Sequence, residues 1–177
     1  MKKKLLLHVC CGPCGTHTVK SLMEDYDVVM LYYNSNVHPT GEYYKRYKEA
    51  QKVSAELSVP LLEGAYSPEQ WLDEIQGFEE EPEGGRRCSL CFGLRLAETA
   101  RYAKENGFDA FTTTMTISPH KDSKVINEIG ESLASKHRIS WVHSDFKKND
   151  GFRKSVEMSK DLGLYRQDYC GCFYSRK

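Results

Sequence analysis

Leu5-Leu6-Leu7-His8-Val9-Cys10-Cys11-Gly12-Pro13-Cys14 runs from a short apolar stretch straight into three thiols. The apolar part has the length and continuity of a strand buried on both faces. Glycine and proline then break it, so the cysteines fall on the turn that leaves the strand. In a parallel α/β sheet, the carboxyl ends of the strands are where sites form. Everything downstream tests whether this stretch is the first strand of such a sheet.

Residues 16–24 then form a short helix, and Val28-Val29-Met30-Leu31-Tyr32-Tyr33 is a second strand. Asn34-Ser35-Asn36-Val37-His38-Pro39 interrupts regular structure. A helix is predicted over 41–57. Tyr43, Tyr47, Ala50, Ser54 and Leu57 form its buried stripe, and Lys45, Arg46, Lys48 and Lys52 form a solvated basic face. Residues 60–64 read as a third strand. Ser67-Pro68-Glu69-Gln70 reads as a capped helix start with a capping box, docked by Trp71, Leu72 and Ile75. The acidic, glycine-rich segment 78–85 is a surface loop or a lid. A helix follows Arg86-Arg87, with Phe92, Leu96, Ala100 and Ala103 on one face and Asn106-Gly107 as its stop. Residues 108–117 read as a strand, Ser118-Pro119 as the start of a helix carrying Ile126, Ile129 and Leu133, 139–142 as a last strand and 152–162 as a last helix stopped by Gly163. Strands alternating with helices indicate βαβ units: one α/β domain over 1–177 with a mainly parallel sheet.

The chain has 177 residues, enough for a core without disulfide staples. Its 25 basic and 25 acidic side chains cancel, so no whole-molecule field attracts nucleic acid or membrane, and any acidic partner must be held locally. The lysines at the start precede an apolar run too short for a signal peptide, and no stretch has membrane-span length. The expected address is the cytoplasm, where clustered cysteines mean metal or redox chemistry more often than structural disulfides.

Seven cysteines fall in three groups: Cys10-Cys11-Gly12-Pro13-Cys14, Cys88-Ser89-Leu90-Cys91 and Cys170-Gly171-Cys172. Such irregular spacing suits iron–sulfur ligation better than a four-ligand structural zinc site. Two alternatives stand beside it. Cys11-Gly12-Pro13-Cys14 has the spacing of a thioredoxin-like redox pair, whose helix N-terminus lowers a thiol pKa. A zinc-stapled, non-catalytic RNA-binding domain is the other. Cys170 and Cys172 suit either metal ligation or a strained, reducible disulfide.

Five ordered motifs resemble the cobalamin-independent, iron–sulfur epoxyqueuosine reductases. They are His8-Val9-Cys10-Cys11-Gly12-Pro13-Cys14, with glycine where the family usually has alanine; Asn34 to Pro39, with Ser35 for a usual proline; Arg87-Cys88-Ser89-Leu90-Cys91-Phe92 with Arg95-Leu96; Ser118-Pro119-His120-Lys121; and Tyr165-Arg166-Gln167-Asp168-Tyr169-Cys170-Gly171-Cys172. The resemblance covers nearly the whole chain. It implies a Rossmann-like domain related to the PP-loop, HUP-type nucleotide-binding folds, with thiols in place of the phosphate-cradling loop. It also implies reductive deoxygenation of epoxyqueuosine in a tRNA anticodon loop, the last step of queuosine synthesis.

The resemblance further implies a [4Fe–4S] cluster on Cys10, Cys11, Cys88 and Cys91, with Cys14 as a further candidate ligand. Cys170 and Cys172 are then a redox pair or ligands of an additional adjacent iron. The segment 163–177 would close over the metal site, and a donor such as a ferredoxin or flavodoxin would supply electrons. Arg86, Arg87, Lys121 and Arg166 are candidates for the RNA phosphates, Tyr165 or Tyr169 for base stacking, and His120, with His38 as an alternative, for delivering a proton.

Overall fold

A computed structural model describes residues 1–176; the expected domain and its closing segment run one residue further, to Lys177, which lies outside the described residues. Five strands form one all-parallel sheet in the order β3-β2-β1-β4-β5: β1 (Lys3–Val9), β2 (Tyr26–Tyr32), β3 (Leu61–Glu63), β4 (Ala110–Thr113) and β5 (Ser140–Trp141). Six helices connect and cover it: α1 (Gly12–Leu22), α2 (Thr40–Leu57), α3 (Pro68–Glu74), α4 (Arg86–Glu105), α5 (Ser123–His137) and α6 (Gly151–Asp161). This is the expected α/β, Rossmann-like architecture. The chain builds outward from β1 to β3, then returns to lay β4 against the other side of β1. The order therefore reverses between β1 and β4, and the crevice at their carboxyl ends is the fold's natural site.

β1 is the central strand because both its faces are apolar. Leu5, Leu7 and Val9 pack with Val19, Met30, Tyr32 and Val53 on one side, and Leu6 packs with Ala100 and Phe111 on the other. No helix among the described residues is long and apolar enough to cross a membrane.

Several boundaries differ from the sequence reading, each for a local reason. α1 begins at Gly12 rather than residue 16, because Cys11 acts as its N-cap, accepting from Cys14 N at 3.4 Å, and Pro13 fits the first turn. The expected strand over 108–117 stops at Thr113. Thr113 then caps a 3-10 turn, Thr114–Ile117, by accepting from Met115 N. The helix expected at Ser118-Pro119 starts only at Ser123, where the Asp122 side chain accepts from Lys124 N at 2.8 Å. Ser67 stands at the N-cap of α3 but makes no side-chain cap bond, so the capping box with Gln70 does not form. Gly107 and Gly163 adopt positive φ just past α4 and α6, as expected of helix stops.

Two glycines set close approaches. A Cβ at Gly12 would lie 2.6 Å from the backbone carbon of Glu49, so the glycine lets α1 lie against α2. A Cβ at Gly151 would lie 1.7 Å from the carbonyl oxygen of Phe146, a backbone atom that cannot swing aside. Gly151→Ala is therefore expected to lower Tm by roughly 5–10 °C through overpacking, as thermal unfolding would read. An unchanged Tm would show that the 146–151 turn relaxes freely.

Candidate metal centre

Cys10, Cys11 and Cys14 converge at the carboxyl end of β1, their sulfurs all within 4.8 Å of one another. Cys10 leaves the strand, Cys11 caps α1, and Cys14 returns one turn later. β4 contributes from the other side of the switch point: Thr114 Oγ1 accepts from Cys10 N at 3.3 Å and lies 3.4 Å from its sulfur. Donation from the Cys11 and Cys14 thiols, with the Lys121 charge and the Thr114 hydroxyl, holds the Cys10 thiol well below its ordinary range despite burial. Its neighbours take the opposite shift: Cys11 is pushed up to about 12, chiefly by its bond to Cys10, and Cys14 is raised well above its ordinary value by Cys10 and Cys11.

The second group stands on α4. Cys88 and Cys10 border one apolar cluster of Phe92, Leu96, Met115 and Ile126, while Cys91 and Cys172 pack with Trp71 and Ile75 in another. Trp71 Nε1 donates to Cys91 Sγ at 3.3 Å. Burial raises the pKa of Cys88 and Cys91, and the charges of Cys170 and Cys172 add to it, which places the C-terminal pair electrostatically close to both. All seven cysteines, including Cys170 and Cys172, are free thiols.

Arg95 sits among these groups, only 3% exposed. It falls one helical turn after Cys91 on α4's buried face, where an arginine interrupts apolar residues. Its Nε donates to Cys91 O at 3.4 Å, and one terminal nitrogen is buried without a partner. Burial disfavours its charge, but the sulfurs of Cys91, Cys170 and Cys10 more than compensate. Half-buried Lys121 behaves likewise: burial works against the ammonium, and Cys170, Cys10 and Cys14 hold its pKa above the ordinary value. A buried arginine near three clustered thiols matches a negatively charged thiolate-ligated metal group, because a buried cation needs an opposite charge. The donor set therefore fits a metal centre.

The motif at residues 34–39 and the C-terminal motif meet as one structure. His38 N donates to Gly171 O at 2.8 Å, and the Tyr169 hydroxyl donates to His38 O. The Phe173 ring stacks on His38 at 4.2 Å between centroids and 8° between planes. Arg46, expected on the solvated basic face of α2, is instead only 2% exposed. Its terminal nitrogens donate to Cys170 O at 2.8 Å and Tyr169 O at 3.0 Å, and its Nε pairs with Glu42 at 2.8 Å. The buried face of α2 is correspondingly Tyr43, Arg46, Glu49, Ala50 and Val53. Arg46 thus works as a clamp on the Tyr169–Cys170 backbone. The signal for it in the sequence was only its spacing, three residues after Tyr43 and four before Ala50.

The other candidates are scattered. Arg86 and Arg166 are exposed. Arg87 is buried and donates to the carbonyls of Phe78, Glu79 and Glu81, so it organises the acidic loop. His120 is exposed on the turn before Lys121. Tyr165 and Tyr169 are engaged within the protein: Lys45 Nζ lies 3.4 Å from the centre of the Tyr165 ring, and the Arg46 and Arg176 guanidinium groups lie 4.9 and 5.8 Å from that of Tyr169. His38 is 3% exposed with both ring nitrogens unpartnered.

His8 completes the floor of the site. Its Nε2 lies 3.1 Å from Tyr33 O, so that nitrogen carries the proton, and Nδ1 accepts from Thr113 Oγ1 at 2.9 Å. Burial, then the Arg95 charge, push its pKa from 6.5 down to about 4. The unfolded chain therefore binds a proton that the folded chain refuses. Stability is complete above about pH 6.5 and falls by about 3 kcal/mol as pH drops towards 4, below which this group adds no further loss. Denaturant midpoints between pH 7 and 4.5 should show that slope, and His8→Gln should flatten it; an equal slope in the variant would assign the effect elsewhere.

A parallel Rossmann-like sheet whose switch point carries clustered thiols and a buried arginine defines a thiol-centred metal or redox protein. The family model described as Epoxyqueuosine reductase QueH matches residues 5–177, and the chain belongs to that family. It is 43% identical over 183 residues to the Epoxyqueuosine reductase QueH of Streptococcus pyogenes serotype M1, covering 100% of this chain and 72% of the relative. The corresponding protein of Staphylococcus epidermidis is 38% identical, covering 98% and 76%. That of Thermotoga maritima is 33% identical, covering 97% and 89%.

Proposed function

We propose that this protein reduces the epoxide of epoxyqueuosine in a tRNA anticodon loop to the cyclopentene of queuosine. The conversion takes up two electrons and two protons, releases the oxygen as water and leaves a carbon–carbon double bond. The observation that carries the reading is the gathering of the Cys10, Cys11 and Cys14 sulfurs at the sheet's switch point, with buried Arg95 one turn after Cys91, in a chain of the QueH family.

In this reading Cys10, Cys11, Cys88 and Cys91 hold a [4Fe–4S] cluster, with Cys14 as a further thiol beside it. Cys170 and Cys172 serve as a redox pair or as ligands of an adjacent iron. A cluster held by these cysteines would supply electrons singly, and an iron with an open position would supply Lewis-acid chemistry at the epoxide oxygen. Arg95 and Lys121 balance the negative charge of the thiolates, and Thr114 fixes the Cys10 backbone. Arg46 and His38 hold the Cys-Gly-Cys backbone, which supports a closing role over the sulfur site for residues 163–176. Exposed Arg86 and Arg166, with half-buried Lys121, offer charge to phosphates, and exposed His120 is the side chain assigned to deliver a proton to the departing oxygen. A ferredoxin- or flavodoxin-class protein supplies the electrons.

Anaerobic purification with iron, sulfide and zinc counts tests the centre, and epoxyqueuosine-containing tRNA tests the reaction. Iron near four per chain, visible absorption bleached by dithionite, and queuosine as product are expected. Colourless protein with about one zinc and no labile sulfide would overturn the reading.

A further inference from the structure

Phe173 and Tyr174 are 49% and 39% exposed, neighbours in sequence, and follow Cys172 directly. They are not loosely placed. They belong to a 3-10 turn, Phe173–Ser175, whose Ser175 hydroxyl donates to Cys172 O at 2.9 Å and accepts from Gly171 N at 3.3 Å. One face of Phe173 lies flat on the buried His38 ring, which Trp71 backs at 5.3 Å between centroids. Tyr174 has the Arg87 guanidinium 4.9 Å from its ring centre. Arg87 also binds the carbonyls of the acidic loop, so Tyr174 borders the side of the site that repels phosphates. Phe173 is left as a ring fixed in plane, half open to solvent, with exposed Arg176 three residues on and the cysteine pair immediately before it.

An aromatic ring whose orientation is locked by a stack beneath it has already lost its rotational freedom. A planar partner can add a further layer at little ordering cost. We propose that Phe173 is a stacking platform for an unpaired nucleobase of the RNA substrate, with Arg176 meeting an adjoining phosphate. A loop nucleotide on Phe173 anchors the strand within one residue of Cys172, so the neighbouring modified nucleotide reaches the sulfur site. This inference rests on the proposed reductase function for its substrate class. Phe173, not Tyr165 or Tyr169, is then the base-stacking residue, because the latter two rings are already covered by cations.

The test uses the iron-loaded enzyme. Phe173→Ala and Phe173→Leu are expected to raise KM for epoxyqueuosine-containing tRNA by about tenfold or more while kcat changes less, and Phe173→Trp to restore KM. Phe173→Leu keeps an apolar cover on His38, so a folding defect in the alanine variant does not decide the outcome. In the tryptophan variant, an anticodon stem–loop RNA should quench fluorescence beyond any change in the wild type, and a fully paired duplex should not. Unchanged KM in Phe173→Leu, or equal quenching by loop and duplex, would overturn the platform while leaving the reductase reading intact. Phe173-dependent binding of the stem–loop by an enzyme that fails to reduce epoxyqueuosine would sink the reductase reading and keep the platform.

Discussion

Replacing Cys10 with alanine should strip the metal centre and abolish reduction of epoxyqueuosine. Hydrogen bonding with Cys11 and Cys14, the Lys121 charge and the Thr114 hydroxyl hold the Cys10 thiol low despite its burial, and Thr114 lies against both its sulfur and its backbone nitrogen. Thiolates rather than thiols ligate metal, so removing this one removes a donor from the cluster of three sulfurs. The loss should exceed the roughly 10–100-fold that deletion of an outer-shell partner costs. Iron content and single-turnover product yield are the measurements. A parallel pair, Cys14→Ala and Cys88→Ala, separates the ligands. Iron loss in Cys88→Ala with retention in Cys14→Ala supports the proposed cluster set; the reverse would move Cys14 into it. Full iron and activity in Cys10→Ala would remove the sulfur site from the mechanism.

Arg46→Met should cost both stability and turnover. The substitution leaves Glu42 without its cation and two carbonyls of the Tyr169–Cys170 backbone without donors. Breaking a buried pair costs about 3–5 kcal/mol, and the lower end applies because Glu42 keeps the Tyr165 hydroxyl and some exposure. At this chain length that is a Tm drop of roughly 6–12 °C. Arg46→Lys distinguishes positioning from simple stability. A lysine keeps the charge but cannot reach Glu42 and two carbonyls in one plane, so Tm should recover substantially while kcat stays low. A lysine variant with full kcat would show that the clamp serves only to hold the fold.

Much of this was legible in the chain. The apolar run 5–9 announced a central strand, and alternating strand and helix lengths announced a parallel sheet, because period and length are properties of neighbouring residues. The rest depended on pairs far apart in sequence. Thr113 and Thr114 read as strand interior, yet their hydroxyls turn the chain and meet Cys10 more than a hundred residues away. Arg46 read as part of a basic solvent face because lysines surround it, and only the docking of the C-terminal segment buries it. The stacked Phe173 gave no signal at all, since its partner His38 is far along the chain.

The sequence by itself determined the fold class, the family and the identity of the thiols, because those rest on local pattern and on residue chemistry that no packing alters. The tertiary structure alone decided which thiols gather at the end of β1 and which arginines are buried against backbone carbonyls rather than left as surface charge. Those outcomes depend on distance and burial. Charges and hydrogen bonds act over a few ångströms of space, and the return of β4 beside β1 and of the C-terminus onto residues 34–39 creates that proximity.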